Sequence, residues 1–348
     1  MKILKSLFLK KRVNIVPKNS IHLGFWRGLS QKKKPFFVLA PMADVTDRVF
    51  RSIIAKYSRF GEEAGGPDVF WTEFVSADGL MSEGRDALIV DLMINKGEHP
   101  IVAQIFGTNL QKLEDCARLC VELGFDGVDI NFGCPEKNIV KSGGGAGAIV
   151  HPSQAVEVIR AVQRGVDGKI PVSVKTRLGF NRDEVETWVP TILETGVAVL
   201  TMHFRTRKEM SKVPARWERM SRIKELRDII SPDTLLIGNG DVETLEKGRE
   251  LATKYGADGV MIGRGIFGNP WLFDENKKEV SISEKLEVML EHTKLYTELL
   301  PMKNFNIMKK HYKAYVNGFD GAKELRVKLM DCTSYEDIEG LTKAFLCK

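Results

Sequence analysis

The sequence predicts an α/β protein: a (β/α)8 TIM barrel followed by a smaller, all-helical C-terminal domain. Three observations carry this. Eight short apolar runs recur between residues 36 and 263, separated by longer amphipathic stretches. The runs are apolar on both faces, as strands of a buried parallel sheet must be. Past residue 273 the strand pattern stops, and the rest of the chain reads as helix.

The expected strands are FFVLA (36–40), VFWTE (69–73), IVAQIF (101–106), GVDIN (127–131), PVSVKT (171–176), VAVLTMH (197–203), LLIGN (235–239) and DGVMIG (258–263). Between them lie NLQKLEDCARLCVELG, PSQAVEVIRAVQ, DEVETWVPTILETG and DVETLEKGRELATKYG, which open on Asp, Asn or Pro and several of which close on Gly. That is the start and stop chemistry of helices. Eight strand–helix units is the count of a TIM barrel. A doubly wound sheet is the alternative, but the first turn, LAPMADVTD, has no G-x-G-x-x-G. The expected division is a basic extension over 1–34, a barrel over 35–275 and a helical domain over 281–348.

With 348 residues, 43% hydrophobic and 28% charged, the chain has the composition of a globular protein, not a disordered one. No apolar stretch approaches the roughly 18 residues of a membrane-spanning helix. Cysteines 116, 120, 134, 332 and 347 form no dense, even framework, which points to a reducing compartment. Cys116 and Cys120 share a helical face without further ligands nearby and read as apolar filler. No metal site is expected.

The net charge of +6 hides an asymmetry, because residues 1–34 hold ten Lys or Arg and no acid. This start reads as a disordered or loosely docked extension, with an organellar address as the lesser alternative to a cytoplasmic protein. A second basic zone, 301–330, holds seven Lys or Arg against Asp320 and Glu324. It is either a solvated helical face or an RNA contact.

In a barrel the active site forms at the carboxyl ends of the strands. Those ends carry Pro41, Met42 and Ala43, then Glu73, Gln104, Asn131 with Cys134, Lys175 with Arg177, His203 with Arg205, Asn239, Gly240 and Asp241, and Gly263 with Arg264. The glycine-rich turns after the last two strands suit a phosphate. A flavin mononucleotide fits the span from there to the centre. Lys175 would then stabilise negative charge on the reduced ring, unless it pairs with a carboxylate in the barrel. Gln104 offers a donor and an acceptor to the same edge.

The segments APMADVTDRVFR, VDINFGCPEKNIVKSGGGAGAI, VSVKTRLGF, TMHFRTR, IGNGDV and MIGRGIFGNPWLF resemble, in order and spacing, the tRNA-dihydrouridine synthases. KKHYKAYVNGFDGAKELR resembles that family's helical domain, and the likeness runs from residue 36 to about residue 330. It implies an FMN enzyme that reduces the C5–C6 double bond of tRNA uridines with NADPH (or NADH) as reductant. Carried over by position, Pro41, Met42, Ala43, Gln104, Lys175 and His203 line the flavin. Asn239, Gly240, Asp241, Gly263 and Arg264 hold its phosphate end, and Cys134 donates the proton. Asn131 and Arg205 are candidates for the target base or its phosphate, and Lys309, Lys310, His311 and Arg326 for the tRNA surface. A monomer is expected. SGGGAG is expected to let the backbone move over the substrate. RFGEEAGGPDVFW departs from the family pattern and bears on tRNA position. The rivals are an FMN barrel acting on a small molecule, such as a dihydroorotate dehydrogenase or ene reductase, and a non-catalytic RNA-binding barrel.

Overall fold

The computed structural model describes residues 21–32 and 35–347. Its eight strands are β1 (Phe36–Leu39), β2 (Phe70–Ser76), β3 (Ile101–Phe106), β4 (Gly127–Phe132), β5 (Val172–Arg177), β6 (Val199–His203), β7 (Leu235–Asn239) and β8 (Gly259–Ile262). Each pairs in parallel with its sequence neighbour, and β1 pairs with β8. A parallel bridge between Val38 and Val69 joins β1 to β2 and closes the barrel.

Alternate residues explain why the sequence closes this way. Val38, Trp71, Val102, Val199, Ile237 and Met261 pack together inside the barrel. Phe37, Leu39, Val128, Val174 and Leu236 face outward into the core beneath the helices. Phe36 fills the lumen beside Gly259, where an added Cβ would lie 2.3 Å from its ring. The longer helices of the barrel are α1 (Arg48–Tyr57), α2 (Leu110–Glu122), α3 (Pro152–Val166), α4 (Val185–Leu193), α5 (Arg219–Ile230) and α6 (Leu245–Tyr255). Asp47, Asn109 and Thr244 cap three of them through side-chain oxygens. Cys116 and Cys120 are buried on α2.

The helical part comprises α7 (Ile282–Leu299), α8 (Lys309–Tyr315), α9 (Ala322–Asp331) and α10 (Tyr335–Leu346). Ser281 and Glu284 form a capping box at the start of α7. Val49 and Ile53 of α1 belong to the same apolar cluster as Leu286, Met289, Tyr312 and Leu325, so these helices share a core with the barrel's first helix.

Two expectations change. Of the basic extension, residues 1–20 and 33–34 lie outside the described residues, but within 21–32 Trp26 is anchored in the barrel while most of its neighbours are exposed. Trp26 is 1% exposed, and its ring lies 5.8 Å from those of Phe36 and Trp71, closing the floor of the barrel. The RFGEEAGGPDVFW segment turns at the start of β2, with Arg59, Gly61, Ala64 and Gly66 at positive φ. It therefore lies at the floor, opposite the ends that carry the polar residues.

Candidate active site

A cavity of about 750 Å3 opens at the carboxyl ends of the strands. Pro41, Met42, Lys175, His203, Arg205, Asn239, Gly240, Asp241, Gly263 and Arg264 line it. Strand register sets the neighbours: Asn131 stands beside Lys175, and Arg177, His203 and Asn239 stand in a row. Pro135, next to Cys134, reaches the edge of the cavity. Ala43 is exposed on the rim above it.

Below the mouth, β3, β4 and β5 share a buried polar network. Asn131 Nδ2 donates to Gln104 Oε1 at 2.8 Å, and Gln104 Nε2 donates to Asp129 Oδ2 at 2.6 Å. Ser173 Oγ donates to Asp129 Oδ1 at 2.6 Å. Burial pushes the Asp129 carboxyl up to about 6, against the pull of these bonds. Gln104 is thus engaged at both ends, and it is fully buried beneath the cavity instead of lining it.

Asn131 also shapes the loop that bears the cysteine. Its Oδ1 accepts the amides of Gly133 at 2.9 Å and Cys134 at 2.8 Å. Arg177 Nε donates to Gly133 O at 2.7 Å, while its Nη1 donates to Met210 O at 3.0 Å. Ala146 N donates to Cys134 O at 2.9 Å. Gly145 sits at φ 52°, and a Cβ there would lie 2.8 Å from Cys134 O. The glycines expected to confer movement serve close packing instead: 145–149 are buried in a short helical segment against the cysteine loop. Burial raises the Cys134 thiol above its ordinary range, so it is protonated at neutral pH.

The opposite wall is cationic. Lys175 Nζ has no hydrogen bond or ion pair among the described residues, which removes the alternative that it pairs with a barrel carboxylate. Burial, then the neighbouring Arg177, push its ammonium down to about 8. His203 is held well below the ordinary imidazole range, by burial first and then by Arg177, Lys175, Arg205 and Arg264. It is neutral, and its Nε2 faces Arg205 Nη1 at 3.1 Å. Nε2 therefore accepts, and the proton resides on Nδ1.

The side-chain carboxylate of Asp241 is engaged within the protein. It holds two arginines: Arg205 through its Nη2 and Arg264 at 3.0 Å. Arg205 is 2% exposed and also donates from Nε to Val213 O at 2.5 Å. Gly240, at φ 124°, carries the chain past Ala215, where a Cβ would lie 2.9 Å away. Gly263 brings the backbone next to Ala40 and Met42.

The four helical-domain positions divide. Lys309, Lys310 and Arg326 are partly exposed, Lys310 lies 3.8 Å from Asp44, and Arg326 Nη1 donates to Val316 O at 2.7 Å. His311 is a correction: it is 1% exposed, packed among Phe50, Phe267 and His292, and faces no surface. Sequence reasoning placed Arg177 on the rim beside Lys175 without giving it a role; the structure shows it bracing the cysteine loop.

Comparison with known proteins decides the family. The family model described as "Dihydrouridine synthase (Dus)" matches residues 38–346. The chain belongs to that family. A "Probable tRNA-dihydrouridine synthase" of Staphylococcus aureus is 42% identical over 325 residues, 92% of this chain and 95% of the relative. A "Probable tRNA-dihydrouridine synthase 2" of Bacillus subtilis is 43% identical over 325 residues, covering 92% and 96%. Among solved structures, histamine dehydrogenase from Rhizobium sp. 4-9 aligns over 79% of this chain with a TM-score of 0.50 at 12% identity. The chain spans 50% of that structure's length, and the likeness concerns the barrel fold alone. The cavity of this chain combines an unpartnered lysine and a neutral imidazole, with the protonated thiol of Cys134 on the loop whose Pro135 reaches the cavity edge.

Proposed function

We propose that the protein is a tRNA-dihydrouridine synthase that reduces the C5–C6 double bond of a tRNA uridine, with FMN as its flavin and NADPH as reductant. The observation that carries this is the pairing, across one cavity, of the protonated Cys134 on a braced loop with the unpartnered Lys175. The donor set fits the flavin. Lys175 is a cation without a counter-ion on the cavity wall, and Gly240, Gly263 and Arg264 suit its phosphate end. When bound, FMN supplies the hydride that adds to C6 of the uracil.

The chain's own residues do the rest. Negative charge builds on C5 and the adjacent carbonyl as C6 is reduced, and Cys134 delivers the proton to C5. Asn131, Arg177 and Gly145 fix the backbone that bears this thiol. Lys175 supplies positive charge to the cofactor's pyrimidine edge, and His203 offers its Nδ1–H beside it. The target uridine leaves the tRNA stack to enter the cavity. Phosphate contacts from Lys309 and Lys310 supply binding that weakens with salt. The protein is proposed to act as a monomer in the cytoplasm.

The purified protein should be yellow and bleach on addition of NADPH without oxygen. Incubation with tRNA lacking dihydrouridine should then yield the modified base, read by mass spectrometry of the nucleosides. A flavin-free preparation that cannot be reconstituted would refute the reading.

A further inference from the structure

The loop between β1 and α1 brings Pro41 and Met42 into the cavity. Asp44 stands in that loop at φ 53°, a left-handed conformation disfavoured for a residue with a Cβ. Within the loop, Thr46 Oγ1 accepts the Met42 amide at 2.9 Å. From outside, the carboxylate of Glu73, which lies within β2 because the strand runs on to Ser76 instead of ending at residue 73 as the sequence suggested, accepts the Asp44 amide through Oε1. The other oxygen of Glu73, Oε2, accepts from Lys303 Nζ at 2.5 Å. Lys303 belongs to the turn after α7, in the helical part of the chain. Asp91 meets the same ammonium at 2.6 Å. The side chains of Lys303 and Glu73 are 12% and 4% exposed, so water screens little of this pairing.

The chain of contacts therefore runs from the helical domain, through one buried carboxylate, to a backbone amide two residues from a cavity-lining side chain. We infer that Lys303 and Glu73 are positioning residues: docking of the helical domain sets the loop that lines the cofactor side of the cavity. In the reaction proposed above, on which this assignment of purpose rests, the domain that grips tRNA also sets the cavity. An interdomain ion pair serving adhesion alone would need no bond to the Asp44 amide. Loss of Lys303 leaves Glu73 and Asp91 facing each other without a cation, so Glu73 takes up a proton and its grip on Asp44 weakens.

The test uses the full chain carrying Lys303→Met, Lys303→Arg or Glu73→Gln, the last of nearly unchanged shape. Hydrogen exchange read at the Asp44 amide should quicken at least about tenfold in Lys303→Met and Glu73→Gln, and return towards wild type in Lys303→Arg. With tRNA, kcat should fall about tenfold while KM stays within about threefold, the pattern of a lost positioning contact. Unchanged exchange at Asp44 overturns the inference, as does a raised KM with unchanged kcat, which would make Lys303 a tRNA contact. The exchange readout needs no turnover. If wild-type protein makes no dihydrouridine, the proposed function falls, and Asp44 protection still decides the coupling.

Discussion

The side-chain oxygen of Asn131 accepts the amide of Cys134 at 2.8 Å, while its Nδ2 donates to Gln104 at 2.8 Å. One side chain thus links the proton donor's backbone to the network under the cavity. Replacing Asn131 with Ala frees two loop amides and leaves Gln104 Oε1 without a donor. Each orphaned buried group costs about 1–3 kcal/mol. If one such contact is lost from the positioned thiol, the rate falls roughly ten- to hundredfold. Single-turnover reduction of tRNA by prereduced Asn131→Ala protein should show this drop, with flavin content unchanged. A wild-type rate would mean the loop holds itself.

Cys134→Ala should retain flavin and oxidise NADPH with oxygen, yet form no dihydrouridine. The thiol is raised by burial, so the acid form that donates the proton persists above the ordinary thiol value of about 8.5. Activity limited by this step should therefore hold through pH 8.5 and decline only at higher pH. A profile already falling between pH 7 and 8 would place another acid at C5.

How far the sequence reaches is visible in particular residues. The strands and helices were legible because the apolar periods are regular and the caps are Asp, Asn, Thr and Gly. Eight strand ends announced the rim in the same way. The contacts between rim residues were not legible. That Asp241 holds Arg205 and Arg264, or that Arg177 braces Gly133, depends on side chains from different strands meeting in space. Composition misled twice. A basic surface stretch implied that His311 was exposed, although its ring is core, and ten cations hid the fact that Trp26 closes the barrel floor. Glycines at 143–145 and 147 suggested mobility, whereas Gly145 and Gly147 are small because backbone carbonyls lie within 2.8 Å of where a Cβ would stand.

Lys175 predicts a trade between stability and function. Its ammonium, pushed down to about 8, is less favourable in the flavin-free folded chain than in the unfolded one. The cost is present in full below pH 8 and fades as pH rises towards the unfolded value of about 10.4. Lys175→Met should raise the flavin-free Tm at pH 7 by about 1–2 °C, the shift that ~1 kcal/mol gives in a chain of this size. The same variant should weaken flavin binding about tenfold, because the counter-charge is gone. Calorimetry and flavin titration check both arms. A lower flavin-free Tm would show that Lys175 has a partner.

His292 and His311 set the acid limit of the fold. Their rings lie 4.7 Å apart, and both Nε2 atoms are buried without a partner among the described residues. Among the described residues, the one hydrogen-bond contact to either ring's nitrogens comes from the Tyr315 hydroxyl, 3.3 Å from His292 Nδ1. Burial pushes His292 down to about 3 and holds His311 well below its ordinary value. Unfolded imidazoles titrate near 6.5. Above that pH both states are neutral and the pair costs nothing. As pH falls from about 6.5 towards 3, the unfolded chain gains protons that the folded core refuses, so stability drops. The loss falls where α7 and α8 meet α1, because Phe50 packs on both rings. His311→Phe keeps an aromatic ring against Phe50 and Phe267 while removing the group that must stay neutral. Its Tm should exceed the wild-type value by a growing margin as pH is lowered from 7 to 4. A margin that stays constant over that range would assign the acid sensitivity to other groups.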